Sequence, residues 1–401
     1  MVAYQDFVAL CRSGSSEDRG RAAHLAAKAY LGHSGPADEH AALYAALIGF
    51  LDDPSVKVRA ALAYGLLHAA EAPRPVMLAL LRDSPVISRA VVQYSPALID
   101  ADLVGFVRGA DPAMLAAVAM RERLSARVAG AIIGRSVRAV TLPLLQRRDV
   151  PVAVDDLVRL AAEGAADARI RGALLGRSDL PAGVRLHLVE AAAAALREAR
   201  IVKGAVAPAR LERLLRHAGD TALTAIGEGV AHRDGQDYAA ALIAGDRLSA
   251  RVLLHAIVSG HVLFFADCLA QLSQAPRAKV FALLETGSRA ALNALLVRCG
   301  LGEAVRNLIS RLVLLARSAD LADDVAARHF VVTVLLEELI VEHDAEIPPE
   351  LEEAFAYLSE QNVMLAREAA RGVMAAFAEE GTARDGMPDL TDGGPLALPA
   401  A

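Results

Sequence analysis

Apolar residues recur along this chain at intervals of three and four, the spacing that places them on one face of an α-helix. In FLDDPSVKVRAALAYGLLHAA (50–70), Val58, Leu62, Gly65, Leu66 and Ala69 form one such stripe. Asp53 is placed to cap the helix by accepting from its free N–H groups, and Pro54 stands at the first helical position, where its missing donor costs nothing. Ser84-Pro85 and Asp111-Pro112 repeat the start signal. Further helices are expected over 16–31, begun by Ser15, over 37–51, begun near Pro36, and as one long Ala-rich helix within 180–204 after Pro181. The acidic stretches 321–343 and 348–380 read as terminal helices. GEGVAHRDGQDY (227–238) is the most loop-like internal stretch and the expected seam between two halves.

The same pattern recurs over a longer period. ARVAGAIIGRS (126–136) returns 42 residues later as ARIRGALLGRS (168–178), with seven of eleven positions identical. Arg59, Arg89, Arg127, Arg169, Arg210, Arg251 and Arg289 each precede small apolar residues, at intervals of 30 to 42. RLSARV occurs verbatim at 123–128 and 247–252. Val128, Ile132 and Ile133, and in the second copy Ile170, Leu174 and Leu175, are the expected core stripe, with Gly134 and Gly176 as helix stops. Gly-Arg-Ser then reads as a helix ending and not as a phosphate loop, because a helix C-terminus presents carbonyls and repels anions. The Asp-Pro, Val-Arg, small-apolar order of 53–63 resembles the second helix of a HEAT repeat. The expected fold is an all-α solenoid of HEAT- or armadillo-like repeats with a period of about 38–42 residues.

Composition agrees with helices packed closely. The 401 residues are 55% hydrophobic with a mean hydropathy of +0.35, but only 4% are aromatic and none is Trp. The longest run free of charged residues is fifteen (252–266), short of the ~20 that a membrane span needs. With Asp6 and no basic start, the N-terminal stretch does not read as a signal peptide, and Cys11, Cys268 and Cys299 have no disulfide or zinc spacing. A cytoplasmic protein with reduced thiols is expected. Charge is uneven: residues 1–300 carry 35 Lys and Arg against 29 Asp and Glu, whereas 301–401 carry 7 against 19. Arg outnumbers Lys 38 to 4, and 101–150 is the basic maximum, with eight Arg against four acids.

The chain carries few residue patterns that imply chemistry. No Gly-x-x-x-x-Gly-Lys and no Gly-x-Ser-x-Gly occurs, and His232-Arg233-Asp234 lacks the Asn of a kinase catalytic loop, since Ala239 stands there. No Glu lies three before any His, as a helical di-metal site would need. His255 and His261 are about 240° apart on a continuous helix and read as hydrogen-bonded packing residues. Glu337, Glu338, Glu342, His343, Asp344 and Glu346 read as a solvated face. Cys268 and Cys299 sit in apolar runs that raise a thiol pKa. No catalytic residue, cofactor or metal is assigned.

RLSARVLLHAIVSGHVLFFADCLAQLSQAPRAKVFALLETGSRAALNALLVRCGL (247–301) resembles the core of a bacterial family, common in alphaproteobacteria, known as domain of unknown function 2336. The resemblance implies a helical-repeat protein and brings no catalytic residues. The expected organisation is HEAT-like repeats over 1–228, continuing repeats with the family-like core over 229–320, acidic helices over 321–380 and a disordered tail over 381–401. The expected function is a non-catalytic scaffold or adaptor that binds another protein, compatible with bacterial signalling or regulation. A nucleic-acid-binding repeat protein is the alternative, and a repeat-scaffold enzyme such as a DNA glycosylase the third reading. Arg127, Arg135, Arg138, Arg169 and Arg177, at matching places in successive repeats, are the candidate partner contacts.

Overall fold

The computed structural model describes residues 4–233, 235, 237–319, 321–344 and 346–383. Among these the chain is all α, with 23 α-helices, one 3-10 turn and no strand. Two compact units divide it, residues 1–184 and 185–401.

The first unit opens with α1 (Tyr4–Arg12), α2 (Ser16–Leu31), α3 (Ala37–Leu51), α4 (Val56–Leu66), α5 (Arg74–Leu80) and α6 (Pro85–Tyr94). It continues with α7 (Asp100–Gly109), α8 (Pro112–Ala119), α9 (Ala126–Gly134), α10 (Arg138–Gln146), α11 (Val154–Gly164) and α12 (Ala168–Leu175). The even-numbered helices form a row: α2 packs on α4, α4 on α6, α6 on α8, α8 on α10 and α10 on α12. Odd-numbered helices lie against them, with α3 on α5 and α7 on α9. The stripes are largely buried as their spacing requires, although Leu175, Gly65 and Ala69 are only half-buried. Val58, Leu62 and Leu66 are fully covered, as are Val128, Ile132, Ile133 and Leu174. Each such side chain contributes about 1.5–3 kcal/mol only because the next repeat covers it.

Several helix ends differ from expectation. Asp111 does cap α8, accepting from the Met114 amide at 2.8 Å. Asp53 does not cap α4, which begins at Val56 after Ser55. Arg19 of α2 takes the Asp53 carboxylate instead, at 2.7 and 3.2 Å, tying the two helices together and holding that carboxyl below its usual range. Gly134 is the last residue of α9 rather than a left-handed stop; the turn is made by Ser136, at φ 54°. Gly176 caps α12 at φ −71°, again without a left-handed turn.

α13 (Ala182–Glu198) crosses the division between units. The second unit follows with α14 (Arg200–Ala205), α15 (Pro208–Ala231), α16 (Asp237–Ala244), α17 (Ala250–Val258), α18 (Val262–Ser273) and α19 (Arg277–Thr286). α20 (Arg289–Arg298), α21 (Glu303–Ala316), α22 (Val325–Glu342) and α23 (Glu352–Ala383) complete it. The single helix expected over 180–204 is broken by extended backbone at Ala199. Of the loop expected over 227–238, residues 227–231 form the last turn of α15 and 237–238 begin α16, so the 228/229 boundary falls inside a 24-residue helix, and the division between units lies at 184/185 instead of at this seam. Gly227 serves packing there: a Cβ would lie 2.2 Å from the Phe264 ring. The stretch 381–383 continues α23, and 384–401 lies outside the described residues.

The repeated hexapeptide is a helix start in both units. Ser125 accepts from the Val128 amide at 3.2 Å, and Ser249 from the Val252 amide at 3.3 Å.

Candidate functional site

The first unit places its arginines mainly at helix ends. Arg121 donates to the carbonyls of Val92 and Ser95, which close α6. Arg135 reaches Val107 and Arg108 at the end of α7, and Arg147 reaches Ala119 and Arg121 after α8, at 2.7 and 2.6 Å. Arg177 bonds Arg147 at 3.0 Å and Val150 at 2.9 Å beyond α10, and its other edge is held by Asp179. The second unit repeats the device: Arg298 caps the end of α18 at Ser273, and Arg317 reaches Leu284 and Leu283 near the end of α19. A helix C-terminus leaves four carbonyls unsatisfied and carries partial negative charge, so a guanidinium from the following repeat answers both needs. This is what Gly-Arg-Ser encodes in the two copies.

The candidate partner contacts separate accordingly. Arg177 is only 3% exposed, and Arg135 is half-buried on the α7 carbonyls, so neither presents a free head to a partner. Arg138 is exposed but paired with Asp167. Arg127 and Arg169 remain outward-facing. Matching places in the sequence thus do not bring these five arginines to one exposed surface.

Three surface hollows of the first unit lie between members of the even-numbered row. One, of about 460 Å³ between α2 and α4, is lined by Arg21, His24, Lys57 and Tyr64. The second, about 900 Å³ at the ends of α6 and α8, is lined by His68, Tyr94, Met120, Arg123 and the acids Asp100 and Glu122. The third, about 600 Å³ between α10 and α12, is lined by Leu142, Gln146, Arg148 and Arg169. Tyr64 is 69% exposed, Tyr94 51% and Met120 64%. Tyr64 stacks on His24 and Tyr94 meets His68 edge-on, which fixes both rings at the surface. The sequence offered one signal for them: large apolar residues off the buried stripe in a chain poor in aromatics.

The second unit holds a histidine cavity of about 460 Å³, lined from α15, α17, α22, α23 and the Ser259–His261 turn. His255 is 1% exposed; its Nδ1 lies 2.9 Å from the Tyr357 hydroxyl and its Nε2 3.3 Å from both Thr221 and Ser259. Tyr357 is wholly buried and its hydroxyl has no other hydrogen-bond partner among the described residues, so its O–H donates to Nδ1 and the ring carries its proton on Nε2. Gln361 lies 3.0 Å from Nδ1 of His217, whose ring stands edge-on to His255. Burial lowers the pKa of His255 to about 3 and pulls down those of His217 and His261. Arg251 lies over the Tyr357 ring and pairs with Asp220 at 2.8 Å and Glu360 at 3.4 Å.

The separation expected between His255 and His261 does not hold, because the chain is not one continuous helix there. Gly260, at φ 74°, turns it between α17 and α18, and both rings line the same cavity. A Cβ on Gly260 would meet the Ala322 backbone at 2.6 Å. Among the described residues no three His, Cys, Asp or Glu are grouped to hold a metal ion, and Glu342 of the terminal acids is paired with Arg311. Burial pushes the Cys299 thiol up to about 11 and the Cys268 thiol higher still. No described helix is long and apolar enough to cross a membrane.

A family model described as an uncharacterised protein conserved in bacteria, domain of unknown function 2336, matches residues 87–339, well over half of the chain. No curated protein and no solved structure matches.

Proposed function

We propose, from the premise that the chain belongs to this uncharacterised bacterial family, that it is a non-catalytic cytoplasmic scaffold or adaptor that binds another protein along the even-numbered helices of its first unit. The observation that carries the reading is the succession of three hollows on one row, edged by Tyr64, Tyr94 and Met120. Exposed aromatic and methionine side chains in concave surfaces are the usual anchors of protein recognition. The nucleic-acid alternative has less behind it. Of the eight arginines in 101–150, Arg121, Arg135 and Arg147 are engaged by helix carbonyls and Arg138 by Asp167.

The test is photo-crosslinking in the native cell, with the crosslinker placed in turn at positions 64, 94 and 120, and at exposed Val158 of α11 as the off-row control. A small common set of proteins captured from the three row positions, absent from 158 and surviving nuclease, supports the proposal. Capture that is equal at all four positions, or lost after nuclease, overturns it.

A further inference from the structure

The three hollows differ in charge, and the difference constrains what can lie across them. The α2–α4 hollow carries Arg21 and Lys57 against Glu17. In the α10–α12 hollow Arg148 and Arg169 are exposed, with no carboxylate in the lining and no ion-pair partner among the described residues. Between these two, the middle hollow balances Arg123 and the buried Arg121 with Asp100 and Glu122 and offers Tyr94 and Met120. Net positive, charge-balanced, net positive is thus the order along the row, with Tyr94 and Met120 exposed at its centre.

Spacing follows from packing. Adjacent helices sit about 8–10 Å apart. Successive hollows are two helices apart in the row, so their centres are separated by roughly 20 Å, about six residues of extended chain at ~3.3 Å each.

We propose that the row binds an extended acidic polypeptide segment: a carboxylate cluster at each end, about twelve residues apart, and a pair of large apolar residues midway. The inference rests on the row being a protein-binding surface and adds the chemistry of the partner. A nucleic acid fits this order less well. Its evenly spaced phosphates would pass Asp100 and Glu122 at the centre, and among the described residues only two exposed tyrosines are available for stacking.

Fluorescence anisotropy with the full chain tests it. The probe is a labelled peptide of about fifteen residues with Asp-Glu at each end, Leu-Phe at the centre and Gly-Ser spacers. Halving the spacers should weaken binding by about tenfold, as should the paired change Arg148→Glu and Arg169→Glu. Both arginines are exposed, so the variant keeps its fold, and hydrogen exchange of α10 and α12 verifies that. Binding that ignores spacer length, ignores the charge reversal, or is surpassed by a fifteen-nucleotide single strand overturns the proposal. If the peptide fails while positions 64, 94 and 120 still capture a common protein, the partner's acidic character falls and the scaffold stands. If those positions capture nothing, the scaffold itself falls.

Discussion

Arg-Leu-Ser-Ala-Arg-Val occurs at 123–128 and again at 247–252, and its two copies have different fates. In both, the serine starts a helix and the valine is buried. The second arginine diverges. Arg127 faces solvent, whereas Arg251 is held between Asp220 and Glu360 with Tyr357 beneath it. The difference is α23, which supplies Glu360, Tyr357 and Gln361 from more than a hundred residues away. An identical local sequence thus yields an open surface in one unit and a buried polar network in the other. Both units clamp helix ends with arginines; the first adds outward hollows and the second a buried polar interior.

The sharpest way to break the comparison is at the turn that assembles the interior. Gly260→Ala forces a side chain into a left-handed conformation and against the Ala322 backbone. A loss of about 3 kcal/mol is expected in the protection of α17 and α18, read by native-state hydrogen exchange. Unchanged protection would mean that the turn does not hold the histidine cavity together.

The two copies of the hexapeptide then provide an internal control. Arg251→Ala strands Asp220 and Glu360 and uncovers Tyr357, at an expected cost of about 2 kcal/mol in urea unfolding. Arg127→Ala should change stability by less than about 0.5 kcal/mol. Equal costs would abolish the contrast.

Acid should separate the units as well. His255 is neutral in the folded state, with its pKa near 3, while the unfolded imidazole titrates near 6.5. Its contribution is complete above pH 6.5 and is lost as pH falls toward 3, because the unfolded chain takes up the proton first. Between pH 7 and 5 that amounts to about 2 kcal/mol, with His217 and His261 acting in the same direction. In the first unit Asp53, Asp83 and Asp102 are held below the usual carboxylate range by Arg19, Arg59 and Arg74. Their contribution is present above about pH 4 and is lost only as pH falls below it. Hydrogen exchange at pH 5 should therefore show α17 and α23 loosened before α4 and α6.

The smallest effect concerns the glycine that sequence alone makes a stop. Gly134 ends α9 in right-handed backbone with nothing within 4 Å of a built Cβ. Gly134→Ala should stabilise the first unit by about 0.5 kcal/mol in thermal unfolding, and destabilisation would show that the turn at Ser136 needs it.

The core stripes and the starts of α2, α3, α6 and α8 follow from sequence alone, because a helix's apolar face and its first turn are set by residues within a few positions of one another. The two copies of the repeated motif fall on α9 and α12, one in each row of helices. Tertiary structure decided which polar groups those helices would turn to use. Arg135 and Arg177 look like surface residues in the chain and are helix-end clamps, because the carbonyls they answer belong to the preceding repeat, some thirty residues back. His255 and His261 share a cavity because Gly260 reverses the chain and α23 closes over it, and no spacing within α17 carries that information. Local geometry writes the helices; the partner of a buried charge is settled only when distant segments meet.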